Sequence, residues 1–462
     1  MSEQKMPPPP PSMTLPPRPL WKTFLMFLGP MLLSNILQAL SGTINNIYVG
    51  QMLGVRAMAA VSSFFPVVFF FISFIIGLGA GASVLIGQAY GARNLGKVKA
   101  VAGTAMMVGV LLGLVVAVLG GSFTEALLRA LATPPDVLED AVRYARVMLI
   151  AMPGLFVFLL ATALLRGVSD TVSPLLTLGA STGVGLVVTP ALIRGWFGLP
   201  QLGVAAGAWA TAIAYVVALA WLAWHLRRKK SPLAPDAEFA KQLRIDTTLL
   251  KGVLKIGVPT GVQMIVISLA EVALLFLVNR FGSDATAAYG AVNQIVAYVQ
   301  FPAISIAITA SILGAQAIGA GRSERLGAIT RTGIQMNLVL TGGLVLLAYL
   351  LSRPIISLFI TSAPVIELAQ TLLHVMLWSS VVFGMAGVVS AVMRASGTVL
   401  APTGISIFCI AAVEVPVAWW LSTRIGVEGV WYGYPAAFIA MLVLQSTYYH
   451  AVWRKKPIRR LV

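Results

Sequence analysis

The sequence predicts an all-α integral membrane protein in which twelve transmembrane helices form two parallel six-helix repeats. Three observations support this fold class. The composition is 58% hydrophobic and only 10% charged, with a mean hydropathy of +0.90; the apolar residues fall into blocks of helical length; and the two halves repeat. Since soluble domains carry about 25% charged residues, a water-soluble fold is disfavoured.

The apolar blocks contain roughly 20 residues each, enough for a helix to cross about 30 Å of hydrocarbon. The predicted spans are 24–48, 58–86, 98–120, 143–165, 172–193, 203–225, 252–278, 287–315, 331–351, 369–393, 401–421 and 428–450.

The net charge is +17, and the distribution of the basic residues indicates the orientation of these spans. If the amino terminus is cytoplasmic, 24 of the 32 Lys and Arg residues fall in cytoplasmic segments and eight fall on the opposite side. This bias is the positive-inside pattern, and it predicts that both termini are cytoplasmic. Because the basic residues follow the gaps between spans, nucleic acid is not an expected partner.

An internal repeat is visible at a shift of 228 residues. The stretch "GQAYGA" at 87–92 returns as "AQAIGA" at 315–320, and Arg166 returns as Arg394. Six spans lie in each half, so equivalent positions share one orientation in the membrane. A parallel repeat of this kind occurs in transporters whose two bundles rock about a central site.

The expected segments follow from the spans and the repeat. Residues 1–22, with "PPPPP" at 7–11, are predicted to form a disordered cytoplasmic tail, and the stretch "KKSPLAPDAEFAKQLRID" marks the linker between the halves. The remaining divisions are a six-helix lobe at 23–226, the cytoplasmic linker at 227–250, a second six-helix lobe at 251–451 and a basic cytoplasmic tail at 452–462.

Several motifs resemble those of the multidrug and toxic compound extrusion (MATE) family. They are "GPMLLSNILQALSGTINNIYVGQMLG" (29–54), "GQAYGAR" (87–93), "LLRGVSDTVSP" (164–174), "LGVAAGAWATAIA" (202–214), "AQAIGAG" (315–321) and "VMRASGTVLAP" (392–402). The resemblance covers about residues 24 to 450.

The resemblance implies a V-shaped monomer of two lobes in a bacterial inner membrane. It implies a secondary antiporter rather than an enzyme, which exports organic cations and other amphipathic small molecules in exchange for H⁺ or Na⁺. No cofactor is expected beyond the coupling ion. An alternative within the same superfamily is a flippase for lipid-linked saccharides, and a receptor or channel that transports nothing is a third possibility.

Two carboxylates lie well inside predicted spans, Glu271 and Glu414. An acid near the bilayer centre costs about 2.5 kcal/mol or more, and such residues usually face a cavity or a bundle interior. We therefore predict a cation-coupling site at Glu271 and Glu414 with Ser268 and Asn279. The alternatives are a protonated packing carboxylate bonded to Ser268 or Asn279, and, for Glu414, an acceptor near the turn loosened by Pro416.

The carboxylates that the resemblance implies in the first lobe are replaced. MATE proteins often carry an acid where this chain has Asn45, and many carry Asp before a proline where it has Thr189. In the second lobe, Glu271 lies one helical turn beyond the position at which some relatives carry Glu. Both embedded acids lie close to the repeat equivalents of Asn45 and Thr189, which leads to the hypothesis that ion coupling has moved to the second lobe.

An apolar environment disfavours the charged form of a carboxyl, so we expect Glu271 to exchange protons near neutral pH. Sodium remains an alternative coupling ion, because neutral oxygens that could bind it are present in Ser268, Asn279, Asn293 and Gln294. No metal-ligand cluster or nucleophile–base pattern is present in the sequence. The residues predicted to line a polyspecific cavity, each with ordinary packing as the alternative, are Gln263, Met264, Phe276, Tyr289, Asn293, Tyr298, Met336 and Trp378.

Overall fold

The computed structural model describes residues 18–462, in which nineteen α-helices are joined by short turns and no β-strand occurs. A helix satisfies its own backbone hydrogen bonds, which is what a chain crossing hydrocarbon requires. The helices of the first half are α1 (Leu20–Leu53), α2 (Val55–Gly91), α3 (Leu95–Ser122), α4 (Thr124–Ala130), α5 (Leu138–Ile150), α6 (Met152–Gly167), α7 (Val172–Arg194) and α8 (Ala205–Lys229).

The second half begins with a short helix in the linker. Asp236 caps this helix by accepting a hydrogen bond from the amide of Phe239, and Asp246 caps the next one in the same way. The helices are α9 (Ala237–Lys241), α10 (Thr247–Asn279), α11 (Ser283–Gly319), α12 (Leu326–Leu350), α13 (Ser352–Ser357), α14 (Ala363–Leu377), α15 (Ser379–Ala395), α16 (Leu400–Phe408), α17 (Val415–Ile425), α18 (Glu428–Trp431) and α19 (Gly433–Ala451).

Ten helical segments of the described chain are long and apolar enough to cross a membrane. An eleventh span consists of α5 and α6, which meet at an angle of 50°. The predicted span 143–165 is therefore bent, and Pro153 in the first turn of α6 explains the break because proline lacks a backbone N–H. The last predicted span, 428–450, coincides with α18 and α19. The all-α membrane fold class with two repeats is confirmed.

The 228-residue repeat extends to the backbone conformation. Helices α2 and α11 have 37 residues each, and their first residues are 228 positions apart. Gly54 and Gly282 precede them with φ of 89° and 98°, a region that favours glycine. The residues that follow, Ala92 and Ala320, have φ/ψ of −75°/−1° and −74°/−2°. The repeated motifs therefore mark equivalent structural positions.

The two halves meet where α2 and α11 end and α10 begins, which we call the closed end. There α2 and α10 cross at small residues: a Cβ on Gly77 would overlap the carbonyl oxygen of Gly257, and a Cβ on Gly81 would overlap that of Val253. The glycines of "GLGAGAS" (77–83) therefore serve close helix packing. The largest buried apolar cluster of the described residues continues from one half into the other.

Two glutamines bond the halves to each other at the closed end. Nε2 of Gln88 in the first half donates to the carbonyl oxygen of Ala395 in the second, at 2.8 Å. Nε2 of Gln316 in the second half donates to the carbonyl oxygen of Gly167 in the first, at 3.0 Å, and to Oγ of Ser169 at 2.7 Å. Gln88 and Gln316 are equivalent positions of the 228-residue repeat, and so are Gly167 and Ala395. Each half therefore donates the equivalent hydrogen bond to the other.

The linker is shorter in the structure than the predicted 227–250, because α8 continues to Lys229 and α10 begins at Thr247. It is fixed to α3 through Lys99, whose Nζ lies 2.6 Å from Oε2 of Glu238 and 3.4 Å from Oδ2 of Asp236. The buried ring of Phe239 adds an apolar contact. The linker therefore packs against the first half.

The two predicted tails differ in what the structure describes. Helix α1 begins at Leu20, so residues 20–22 of the predicted disordered tail 1–22 are helical, and residues 1–17 lie outside the described residues. Residues 452–462 pack beneath both halves. Trp453 Nε1 donates to Oγ of Ser396 at 2.9 Å, and the amide of Leu461 donates to Oε1 of Gln88 at 2.7 Å.

Candidate functional site

The carboxylate of Glu271 on α10 receives hydrogen bonds from two other helices. Its Oε2 accepts from the hydroxyl of Tyr289 on α11 at 2.7 Å, from the hydroxyl of Tyr434 on α19 at 2.9 Å and from Nδ2 of Asn293 on α11 at 3.4 Å. No side chain within residues 18–462 is hydrogen-bonded to Oε1. We call these four residues the Glu271 cluster. One carboxylate oxygen is held by three donors, and the other has no side-chain partner among the described residues.

Local structure explains how the four side chains meet. Tyr289 and Asn293 are four residues apart and so lie on one face of α11. Tyr434 follows Gly433 at the start of α19, where an added Cβ would stand 2.7 Å from the carbonyl oxygen of Glu414. The absence of a side chain at Gly433 lets α19 approach closely enough for the Tyr434 hydroxyl to reach Glu271.

The tyrosine rings are held in the core of the second half. Tyr289 is 6% exposed and Tyr434 is 3% exposed. Their hydroxyl oxygens are 3.1 Å apart, and the ring of Tyr289 lies edge-on to Trp431 with centroids 5.2 Å apart. Because a buried hydroxyl without a partner is costly, both hydroxyls depend on Glu271 as acceptor. The cluster is therefore well ordered around the acid.

Glu414 is the second embedded acid, and its environment is different. It is 4% exposed and is the last residue of a π-helical segment, Cys409–Glu414, that precedes Pro416. Such segments are frequent at functional sites. Within residues 18–462 its carboxyl has neither a hydrogen bond nor an ion pair, and burial without a partner disfavours the charged carboxylate.

Two residues predicted to belong to the coupling site are not bonded to Glu271. Ser268 donates to the carbonyl oxygen of Met264 at 3.2 Å, a back-bond within its own helix. Asn279 accepts from the hydroxyl of Thr286 at 2.7 Å. It lies eight residues beyond Glu271, about 12 Å along the helix axis. The expected partners of Glu271 are therefore replaced by Tyr289, Asn293 and Tyr434.

Tyr434 is a member of the Glu271 cluster that was not predicted. Its repeat equivalent is Ala206, so the repeat carries no signal for it. The available signal was the presence of a tyrosine in an apolar span, because its hydroxyl needs a buried acceptor and few embedded acceptors exist.

Of the predicted cavity residues, Tyr289 and Asn293 belong to the Glu271 cluster. The other six are partly or well exposed, and within the described residues none of their side chains is hydrogen-bonded to the cluster. They are Gln263, Met264, Phe276, Tyr298, Met336 and Trp378. Phe276, for example, is 61% exposed and its ring faces the guanidinium of Arg280 at 4.9 Å. Their role as a substrate surface stays a prediction.

The positions of the replaced family acids lie in the first half. Oδ1 of Asn45 is 3.7 Å from the position that a Cβ on Gly207 would take, and the ring of Tyr144 is 3.8 Å from the same point. Thr189 is buried in α7 directly before Pro190. Both sites therefore hold neutral side chains. The acids of the described first half lie at helix ends and in turns, at Glu125, Asp136, Glu139, Asp140 and Asp170.

Asp170 orders the turn between α6 and α7 at the closed end. It accepts hydrogen bonds from the amide of Ser173 at 3.0 Å, from Oγ of Ser173 at 2.6 Å and from Nζ of Lys229 at 3.1 Å. Burial alone would raise the pKa of this carboxyl, but the hydrogen bonds from Ser173 and Lys229 outweigh burial and hold the pKa below its ordinary value.

A cavity of about 340 Å³ lies between the far ends of α1 and α2, away from the Glu271 cluster. Its lining residues, none of which was predicted, are Thr43, Asn46, Ile47, Gly50, Gln51 and Met58. Within residues 18–462, no group of three or more His, Cys, Asp or Glu side chains is placed to hold a metal ion.

Comparison with known proteins gives consistent matches over the whole fold. The MatE family model matches residues 30–191 and 259–420, one copy in each half. The probable multidrug resistance protein YoeA of Bacillus subtilis (strain 168) is 47% identical over 445 residues, which cover 96% of each chain.

Solved structures at lower identity show the same fold. A mutant of the Vibrio cholerae MATE transporter VcmN superposes with a TM-score of 0.86 at 20% identity, covering 95% of this chain and 98% of that one. A structure described as the outward-facing conformation of a multidrug resistance MATE family transporter gives a TM-score of 0.85 at 22% identity, covering 94% and 97%.

Proposed function

The chain belongs to the MatE family of multidrug efflux transporters, and from this premise we propose that it exports organic cations and other amphipathic compounds in exchange for protons. We further propose that Glu271 is the main proton carrier and that Glu414 assists it. The transport cycle would rock the two halves about the site between them.

The observation that carries this proposal is the asymmetric environment of the Glu271 carboxylate. Oε2 accepts from Tyr289, Tyr434 and Asn293, whereas Oε1 has no partner among the described side chains. A proton can therefore bind and leave at Oε1 while the donors keep the side chain in place. A cationic substrate would compete with the proton for the ionised carboxylate, which couples the two flows.

Glu414 lies beside the same end of α19 as Glu271 does. Gly433 contacts the backbone of Glu414, and the next residue, Tyr434, is bonded to Glu271. Both embedded acids thus contact adjacent residues of α19. A proton on Glu414 keeps that carboxyl neutral in its buried position, and its release would be favourable only when the lobes separate and water enters.

Protons are the preferred coupling ion on chemical grounds. A sodium ion requires several oxygen ligands at once, and Asn293 presents an N–H donor to the carboxylate. Ser268 donates to Met264 within its own helix and is not hydrogen-bonded to Glu271, and Tyr289 presents its proton to the carboxylate. Sodium coupling is the alternative, and transport by everted vesicles without sodium distinguishes the two ions.

The arrangement of the halves supports an outward-facing state if both termini are cytoplasmic. Every hydrogen bond between the helical bundles of the described residues lies in the closed-end half of the helices, including Asn35 to Ser305 at 3.1 Å. Within residues 18–462, the opposite ends of the bundles have none. The basic residues concentrate on the side of the closed end, which the positive-inside rule assigns to the cytoplasm. We propose a monomer in a bacterial inner membrane.

The flippase alternative requires a cationic central cavity for a lipid-linked phosphate. Within the described spans, Lys and Arg side chains lie near helix ends, whereas the embedded charged groups are Glu271 and Glu414. This charge distribution favours cationic over anionic cargo.

Transport by everted membrane vesicles tests the proposal. Accumulation of a fluorescent organic cation is expected to stop when the proton gradient is collapsed and to continue when sodium is removed. Glu271→Gln is expected to abolish proton-driven accumulation, whereas the matched control Glu367→Gln, at an exposed position of α14, retains it. Loss of transport on sodium removal, or full pH-coupled transport by Glu271→Gln, would contradict the proposal.

A further inference from the structure

A crevice at the closed end is lined by four arginines that come from both halves. Its volume is about 620 Å³. Arg18 precedes α1 and Arg93 follows α2 in the first half, while Arg322 follows α11 and Arg325 precedes α12 in the second. The crevice therefore lies across the boundary between the lobes, far from the Glu271 cluster.

The positive charge of this crevice is not balanced by acids of the described chain. Within residues 18–462 none of the four arginines forms an ion pair, and no Asp or Glu lines the crevice. Glu324 is adjacent to Arg325 in the chain, yet it pairs with none of them. The four arginines are exposed, and like charges that line one crevice favour the binding of an anion.

Membrane orientation alone does not explain this arrangement. The positive-inside rule requires basic residues on one side of the membrane, but it does not require them to converge on one concave surface. Lys251 and Lys255 serve as a comparison, since they are exposed on the first turns of α10 and do not line the crevice. The crevice also contains Tyr90, whose hydroxyl makes no hydrogen bond among the described residues.

The floor of the crevice is closely packed. Gly91 lies so close to α11 that an added Cβ would overlap the carbonyl oxygen of Gln316, and both residues line the crevice. The side chain of Gln316 is in turn bonded to Gly167 and Ser169. The space between the arginines therefore persists as long as the two halves are in contact.

We propose that this crevice binds a phosphate-bearing anionic group, the headgroup of an anionic phospholipid or a soluble phosphate compound. Guanidinium groups match phosphate oxygens through paired N–H donors, and basic pockets between transmembrane helices bind anionic headgroups. Leu20, Leu313 and Ile329 give the crevice an apolar wall that suits an acyl chain. Since the arginines belong to both halves, the bound group favours the conformation in which the halves meet at this end.

Thermal unfolding of the purified full-length protein in detergent tests the proposal. Mixed micelles containing phosphatidylglycerol are expected to raise the midpoint relative to micelles with phosphatidylcholine. The double variant Arg93→Gln/Arg322→Gln is expected to bind phosphatidylglycerol roughly 30-fold more weakly and to lose the increase. The control Lys251→Gln/Lys255→Gln carries the same change of net charge and is expected to keep it.

Further measurements identify the source of the phosphate and cover the case in which the double variant does not fold. Millimolar inorganic phosphate or pyrophosphate, without anionic lipid, raises the midpoint if the ligand is soluble, which also supports the proposal. The single variants Arg18→Gln and Arg325→Gln are measured in case the double variant does not fold, and each is expected to weaken binding roughly fivefold. No increase with any phosphate probe, or an equal increase in crevice and control variants, would overturn the proposal.

Discussion

The hydroxyl of Tyr434 on α19 lies 2.9 Å from Oε2 of Glu271 on α10, although the two residues are 163 positions apart in the chain. The same carboxylate oxygen is 2.7 Å from the hydroxyl of Tyr289. A half-buried acid held by two tyrosines through one oxygen leaves its other oxygen without a partner among the described side chains. Oε2 therefore positions the side chain, and Oε1 is the oxygen proposed to carry the proton.

Tyr434→Phe is expected to lower the rate of proton-driven transport and to change its pH profile, because the variant removes a hydrogen bond to a charged carboxylate, which contributes about 1.5–3 kcal/mol. The profile is measured as initial rates of cation uptake in everted vesicles between pH 5 and 9. Tyr349→Phe is the control, since its hydroxyl donates to the carbonyl oxygen of His374, away from Glu271. Equal profiles for the two variants would exclude a role for the Tyr434 hydroxyl in proton binding.

Glu414→Gln is expected to alter coupling without altering stability. The carboxyl is buried without a partner within the described residues, so a neutral amide of the same shape replaces a neutral acid at a cost below about 1 kcal/mol. The thermal midpoint should therefore be retained, while the number of protons released per substrate bound decreases. A loss of more than about 3 kcal/mol would instead indicate a charged group with a partner.

Gln88→Leu and Gln316→Leu are expected to favour opening of the closed end. Each substitution leaves a buried carbonyl oxygen without its donor, which costs about 1–3 kcal/mol. Distances between spin labels on the ends of α2 and α11 should become longer or more broadly distributed. Cys409, the single native cysteine, is buried, which helps site-specific labelling.

Gln370→Leu is the matched control for both variants. Its amide donates to Ser352 at 3.0 Å within the same half. If this control changes the label distances as much as the other two variants do, the reciprocal hydrogen bonds do not hold the halves together.

Asp170→Asn is expected to destabilise the protein by about 1–3 kcal/mol at neutral pH, because the hydrogen bonds of the ionised carboxylate with Ser173 and Lys229 are weakened. The folded-state pKa of Asp170 is lowered, so its contribution is complete above its unfolded pKa of about 4 and is lost as the pH falls through the lower folded value. Thermal midpoints of the parent and the variant should therefore differ at pH 7 and converge in acid. A constant difference across this range would refute the assignment.

Much of the architecture follows from the order of residues. A span of apolar residues must be helical in hydrocarbon because no water is present to satisfy its backbone, and the repeat at 228 residues carries over to the bounds and caps of α2 and α11. The bend at α5 and α6 and the packing of residues 452–462 were not predicted. The bend follows from Pro153, a local signal, whereas the packing of residues 452–462 depends on contacts with segments that are distant in the chain.

The helical membrane fold, the two halves and the identity of the two embedded acids follow from the order of residues, because hydropathy, repetition and charge are properties of the chain read in order. The surroundings of each acid depend on how the helices pack. Ser268 is near Glu271 in sequence but satisfies its hydroxyl within α10, whereas Tyr434 comes from the last long helix and reaches the carboxylate because Gly433 allows close approach. Hydrogen-bond partners in a bundle are set by which helices touch, and helical spacing along one segment does not contain that information.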